Sequence, residues 1–388
     1  MIMTDIKQID KQNIVNTYGR EDVTFVSGKG SILFDDNGKE YIDFGSGIAV
    51  NGLGVADDNW VEAVYAQLKK IAHTSNLYYN EPCAKLGEIL TTRTGLKKVF
   101  FSNSGAEANE FAIKCARKYS FDKYGEGRYE IITLKNSFHG RTMATITATG
   151  QDVFHTYFNP FLEGFQYAEA NDIEDLISKA NDKTCAVMLE FVQGEGGVNA
   201  LDKDYVQKVY DLCKKNDWLF IADEVQTGNG RTGTLYAYEQ YGVLPDIMST
   251  AKGLAGGLPM GATLVGDKCE FVMSAGTHGS TFGGNPAISA GAIEVLNRLT
   301  PEFLASVKKK SEMIIDRLQK MDGVESVSGL GLMLGVKTKK DAKMVKAECL
   351  KNGLVVLTAK DKIRLLPALN IKMEEIDKGL KILEKALI

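Results

Sequence analysis

Five apolar runs of strand length, YEIITLKN, CAVMLEFVQ, WLFIADEV, DIMSTAKG and MGATLVGD, succeed one another between residues 129 and 267. Segments of helical period stand between them, and KDYVQKVYDLCKKN keeps the 3.6-residue spacing clearly. A strand that is apolar along its whole length needs cover on both faces, and helices placed between consecutive strands supply it. The alternation therefore predicts an α/β architecture, a largely parallel sheet with helices on both sides.

The flanks read differently. NWVEAVYAQLKKIAH, CAKLGEILTTRT and AEANEFAIKCARKYSFDKYG have helical periodicity, and KKVFFSNSG reads as a short strand ending in a glycine turn. Nearer the start, SILFDDNGKEYIDFG reads as two strands joined by a DDNG turn. Downstream come the helices AISAGAIEVLNRL and ASVKKKSEMIIDRLQKM, then VESVSGLGLMLGVKT with strands about a tight turn. MVKAECLKN, GLVVLTAKDKIRLLP and an amphipathic last helix complete a smaller α+β unit. A lone hairpin is marginal, so the early one is assigned to that unit. A chain of 388 residues exceeds the usual limit of one core. The expected division is 1–57 as a contribution to the small domain, 58–285 as the large α/β domain, and 286–388 as the rest of the small one.

Composition removes several function classes. A net charge of -4, with lysines scattered among acids, offers no broad attraction to nucleic acid or anionic membrane. The six cysteines are far apart without paired spacing, which predicts reduced thiols rather than disulfides or a metal site. Four histidines with no HExxH pair argue against a zinc enzyme. The start, MIMTDIKQIDKQN, is too polar for a signal peptide, and no later run is long enough to span a bilayer, so a cytoplasmic protein is expected.

Ligands of an open parallel sheet bind beyond the carboxyl ends of its strands, so polar residues just after apolar runs are the candidates. Ser104-Gly105-Ala106 follows a strand and opens a helix, where free N–H groups attract an anion such as phosphate. A plain turn with an N-cap has the same pattern. Asp223 ends WLFIAD and Lys252 follows DIMSTA. A lysine amine can form a Schiff base with an aldehyde, and a buried carboxylate can keep a pyridine nitrogen protonated. The competing reading is a turn-forming aspartate and a solvated lysine. Phe138 and Arg141, in FHGR, could stack on a flat ring and clamp a carboxylate. Arg364, inside the apolar IRLLP, has Glu195 of QGEGG as a possible partner.

Together these residues resemble the class III pyridoxal-phosphate aminotransferases, the ornithine and acetylornithine group. The resemblance runs from about Tyr18 to the last helix through YIDFGSGIAVNGLG, HTSNLYYNEP, FSNSGAEANEFAIKCAR, NSFHGRT, QGEGGV, FIADEVQTGNGRTG, STAKGLAGGLPMG, HGSTFGGNP and IRLLPAL. It implies a fold-type I enzyme, a homodimer or dimer of dimers with shared active sites. Lys252 would be the Schiff-base lysine and proton carrier, and Asp223 would hold the pyridinium proton. Phe138 would cover the ring and Gln226 would approach its phenolic oxygen. Ser104, Gly105 and Ala106 would bind the phosphate, which Thr281 would reach in the neighbouring subunit.

The same resemblance makes Tyr18, Arg141, Glu195 and Arg364 substrate residues. Arg141 would grip the carboxylate distal to the reacting amine. Arg364 would take the α-carboxylate of glutamate and pair with Glu195 when that carboxylate is absent. HTSNLYYNEP, GSGIAVN and GLVVLTAKDKIRLLP lie closest to the acetylornithine branch, which implies N-acetylornithine as amino donor and 2-oxoglutarate as acceptor. Ornithine, succinylornithine, diaminobutyrate and 4-aminobutyrate are the alternative donors, and an aminomutase the alternative reaction. Three family features differ here. GLGVADDNW stands where GHxHP is common, Glu190-Phe191 replaces Glu-Pro, and Ala106 replaces a threonine.

Overall fold

The computed structural model describes residues 6–388. The expectations for the first five residues, in the polar start and the 1–57 segment, lie outside them. The central element is a seven-stranded sheet: β1 (Lys98–Ser102), β2 (Glu130–Leu134), β3 (Phe165–Ala168), β4 (Thr184–Leu189), β5 (Leu219–Asp223), β6 (Ile247–Thr250) and β7 (Gly261–Val265). Their spatial order is β1-β7-β6-β5-β4-β2-β3. All pairings are parallel except those of β7, which runs against both β6 and β1. The five interior strands are buried at every residue, which is why the sequence writes them as largely apolar runs.

Two expectations needed correction in detail. CAVMLEFVQ is not one strand: β4 stops at Leu189, and Val192–Gln193 pairs instead with Asn199–Ala200 in a separate ribbon. The edge strand β3 was not foreseen, because FQYA is half-buried and lacks a continuous apolar run.

The early hairpin is present, Ile32–Asp35 against Glu40–Asp43, and Leu354–Val355 adds to it in parallel. Another sheet joins Val324–Leu330, Met333–Thr338, Lys362–Leu365 and Leu357–Ala359. Arg231, buried in GNGRTG, ties this sheet to the loop after β5. Its guanidinium donates to the carbonyls of Leu332 at 3.0 Å and Pro367 at 2.5 Å. Burial pushes its pKa down to about 9, against the opposing pull of Asp43. The strand carrying Arg364 is thereby held against the central sheet.

The GVADDNW segment has a structural account. Asp57 caps the helix Asp58–Lys70 by accepting from the Trp60 N–H at 3.1 Å, and Arg298 lies 3.4 Å from its carboxylate. Trp60 Nε1 then donates to the Ala255 carbonyl at 3.1 Å, bracing the turn Lys252–Ala255.

At the end of β5, Asp223 faces the site and Glu224 faces the core. Glu224 is fully buried, accepting from the Tyr238 N–H at 2.8 Å and from Thr227 Oγ1 at 2.5 Å. Burial pushes its pKa up to about 7. Below about pH 4.5 the folded and unfolded chains both hold this proton. Between about 4.5 and 7 only the folded chain holds it, so stability is lost as pH rises through that window and then levels. The loss is on the order of 3 kcal/mol. Denaturant midpoints of wild type and Glu224→Gln across pH 4.5 to 8 check this: the variant should show a flatter profile.

Candidate active site

Five strands of the sheet deliver side chains to one edge. Ser104 follows β1, Phe138 follows β2, Glu190 follows β4, Asp223 ends β5 and Lys252 follows β6. They surround a single cavity of about 440 Å³, which Arg141 and Gln226 also line.

Lys252 opens a short 3-10 turn with φ +41°, a left-handed conformation that is costly for a side-chain-bearing residue. Such strain is found where a side chain must be aimed. No hydrogen bond or ion pair to the amine is made among the described residues. Burial lowers its pKa, with Asp223 and Glu195 pulling the other way. Desolvation thus favours the neutral amine, the form that attacks a carbonyl and accepts a proton.

Asp223 is only 3% exposed and receives three donors. His139 Nδ1 lies 2.7 Å and Asn109 Nδ2 2.8 Å from its Oδ2, and the Val225 N–H lies 3.0 Å from its Oδ1. Asn109 also donates to the His139 carbonyl at 2.8 Å, closing the network. His139 Nε2 is buried without a partner. The Nδ1–H tautomer suits this arrangement, since it donates to Asp223 and leaves no unpaired buried N–H.

Ser104 caps the helix Gly105–Tyr124, its Oγ accepting from the Glu107 N–H at 3.2 Å. The N–H groups of Gly105 and Ala106, first in that helix, have no intrahelical acceptor and line the cavity. Glycine is required at 105, where a Cβ would fall 2.6 Å from Val225 Cγ1. Glu190 lies deep in the site and accepts from the Phe138 N–H at 2.9 Å. Burial, and secondarily Asp223, raise its pKa well above the usual carboxylate range.

Arg364 and Glu195 do pair, at 2.6 Å, and the arginine is 3% exposed. The same Nη1 lies 3.3 Å from Gln226 Oε1, which links this ion pair to the cavity wall. Arg364 Nε is buried and has no hydrogen-bond partner among the described residues.

The remaining two candidates lie elsewhere. Tyr18 is exposed, has Arg20 over its ring at 5.6 Å, and lines a separate groove with Val355 and Leu357. Thr281 is exposed and does not line the Lys252 cavity. Its neighbour Ser280 accepts from Asn103 Nδ2 at 3.2 Å. His139, Asn109 and Glu190 were not singled out as site residues by sequence reasoning. His139 was visible inside FHGR, whereas Asn109 and Glu190 read as ordinary polar residues of a helix and a strand.

A flat aromatic aldehyde bearing a phosphate and a ring nitrogen matches these walls. An open helix N-terminus stands on one side, an unpaired lysine amine within reach of the cavity, and a fully donor-bound carboxylate at its base. Fold and site together define a fold-type I pyridoxal-phosphate-dependent enzyme. Residues 16–387 match the model of the aminotransferase class-III family, and the chain belongs to that family. It is 51% identical over 390 residues to the acetylornithine aminotransferase of Haemophilus ducreyi, covering 100% of this chain and 99% of that one. Among solved structures, the ornithine aminotransferase of Toxoplasma gondii superposes with a TM-score of 0.94 at 29% identity, covering 98% of this chain and 94% of that one. The N-acetylornithine aminotransferase of Stenotrophomonas maltophilia gives 0.85 at 35% identity, covering 98% and 97%.

Proposed function

We propose that the chain moves the terminal amino group of N-acetylornithine to 2-oxoglutarate, giving N-acetylglutamate 5-semialdehyde and glutamate, a step of arginine synthesis. The observation that carries this reading is one cavity holding Lys252 and Asp223, with Arg141 in its wall and Arg364 against the lining residue Gln226. Among the described residues no carboxylate pairs with Arg141, whereas Arg364 is held by Glu195. Bound there, pyridoxal phosphate supplies an aldehyde to carry the amino group and a ring to accept the electron pair released when a C–H bond breaks.

The chain's own residues do the rest. The Gly105 and Ala106 N–H groups and the Ser104 hydroxyl hold the phosphate. Asp223 would hold a proton on the ring nitrogen, Phe138 would cover the ring, and Gln226 would approach the phenolic oxygen. Lys252 Nζ would take the proton from the amine-bearing carbon of the substrate and return it to the carbon on the other side of the transferred nitrogen. Arg141 receives the distal carboxylate of the amino donor. When glutamate or 2-oxoglutarate enters, its α-carboxylate displaces Glu195 from Arg364, so one pocket serves two unlike substrates. Tyr18 is assigned to the substrate and Thr281 to the phosphate of a second subunit. The exposure of both in the single chain supports a homodimer or dimer of dimers with shared sites.

On the same reading, 58–285 forms the large cofactor-binding domain, and 1–57 with 286–388 the small one. The pairing of Glu40–Asp43 with Leu354–Val355 supports that division. A cytoplasmic location is part of the proposal, supported by six unpaired cysteines. Among the described residues no helix is long and apolar enough to cross a membrane.

The test is visible absorption of the reconstituted protein under single-turnover conditions. N-acetylornithine should bleach the cofactor faster per unit concentration than ornithine or 4-aminobutyrate, and 2-oxoglutarate should restore it. A tenfold advantage for another amine, about 1.4 kcal/mol, would overturn the donor assignment.

A further inference from the structure

Arg141 is exposed where it lines the cavity, and among the described residues no carboxylate pairs with it. Its guanidinium carbon lies instead 4.4 Å from the ring centroid of Phe154 and 5.5 Å from that of Phe138. The two rings meet edge to face, with centroids 5.6 Å apart and an interplanar angle of 69°. A guanidinium is planar, with its donors around the edge. Resting one face on a ring leaves that edge free to meet a carboxylate with two N–H groups.

Phe154 is held where it can do this. It closes the short turn Asp152–Phe154, its N–H donating to the Gln151 carbonyl at 3.0 Å. Gln151 Nε2 donates to the Ser137 carbonyl at 2.9 Å, and the Gly150 N–H to Ser137 Oγ at 3.0 Å. The Asn136 N–H returns a bond to the Gly150 carbonyl at 2.7 Å. Only glycine fits at 150, since a Cβ would lie 2.2 Å from the Leu134 carbonyl oxygen. The segment bearing Phe154 is thus laced to the segment that leads into Phe138 and Arg141.

We propose that Phe154 is a positioning residue for Arg141 and so sets the preference for amino donors with a carboxylate distal to the reacting amine. This rests on the reading that Arg141 receives that carboxylate. A long arginine side chain loses freedom when it binds, and a ring that already holds it reduces that cost.

The test compares N-acetylornithine with N-acetylputrescine, the same amine with hydrogen in place of the carboxylate, in the full-length holoenzyme. Phe154→Leu should lower kcat/KM for N-acetylornithine about five- to tenfold, mainly through KM, and leave N-acetylputrescine nearly unchanged. Phe154→Tyr should restore the wild-type ratio. N-acetylnorvaline, which keeps the carboxylate but has no amine to react, should bind Phe154→Leu more weakly by a similar factor in calorimetry. In an Arg141→Ala background the leucine change should have no further effect on N-acetylornithine. Equal slowing of both donors, or no change in their ratio, overturns the proposal. A wild-type enzyme indifferent to the carboxylate would instead overturn the assignment of Arg141, and the role of Phe154 with it.

Discussion

Lys252→Ala is expected to stop turnover without loosening the fold. On the proposed reading the substitution removes both the amine that attaches the cofactor and the base that moves the proton, and proton transfer alone commonly contributes about 10²–10⁴ in rate. A single-turnover rate lower by at least about 10³-fold, roughly 4 kcal/mol, is expected. Stability should move the other way or stay still. The amine has no ion-pair partner among the described residues, and its burial already lowers its pKa, so the folded chain gains little from it. Alanine leaves the φ of +41° as strained as before. Denaturant midpoints of the cofactor-free proteins, taken beside borohydride trapping of pyridoxal phosphate, separate the two effects. Activity within tenfold of wild type, or a midpoint that falls along with activity, would show that Lys252 is a structural residue.

Asp223 and Lys252 were legible for the same reason as the sheet. Each is a charged residue at the end of a strand buried at every residue, and Asp223, after the wholly apolar Leu219–Ala222, stands out the more clearly. Strand β3 escaped notice because an edge strand keeps polar and half-buried positions, and FQYA carries no contrast. The break after Leu189 escaped because Glu190 sits between two apolar stretches. Its carboxyl turns into the site to receive the Phe138 N–H, and a linear pattern contains no such partner.

Distances between segments were the larger gap. His139 and Asn109 meet at Asp223 from a loop and a helix, 84 and 114 positions away, and nothing in the spacing announces it. The Arg364–Glu195 pair spans 169 positions and was readable only as a possibility, because alternation in IRLLP allowed the arginine to face solvent. The GVADDNW departure looked like a loss of family features. In the fold, Asp57 supplies a helix cap and Trp60 braces the lysine turn, neither of which needs the missing histidines.

Substitutions at Asp223 should separate charge from packing, which Lys252 cannot do. Asp223→Asn keeps the volume and, with its oxygen in the Oδ2 place, the bonds from both His139 and Asn109, losing the one from the Val225 N–H. Its midpoint should therefore lie within about 1 kcal/mol of wild type, the net worth of a typical hydrogen bond. It cannot hold a proton on the ring nitrogen, and the half-reaction should slow by about 10²–10³-fold, the scale of losing one preorganised electrostatic partner. Asp223→Ala should lose the same activity and also fold less well. His139 Nδ1, one of the two Asn109 Nδ2 hydrogens and the Val225 N–H would each be left unsatisfied in a site where Asp223 was only 3% exposed, at about 1–3 kcal/mol apiece. Adding His139→Ala to Asp223→Ala removes one of those orphans, so the double variant should be less destabilised than the sum of the two single changes. Strict additivity would mean that His139 and Asp223 do not interact across the 2.7 Å that separates them. An Asp223→Asn enzyme of near-normal rate would place the ring proton under the control of some other group, and Glu190, whose pKa burial raises in the same cavity, is the one to change next.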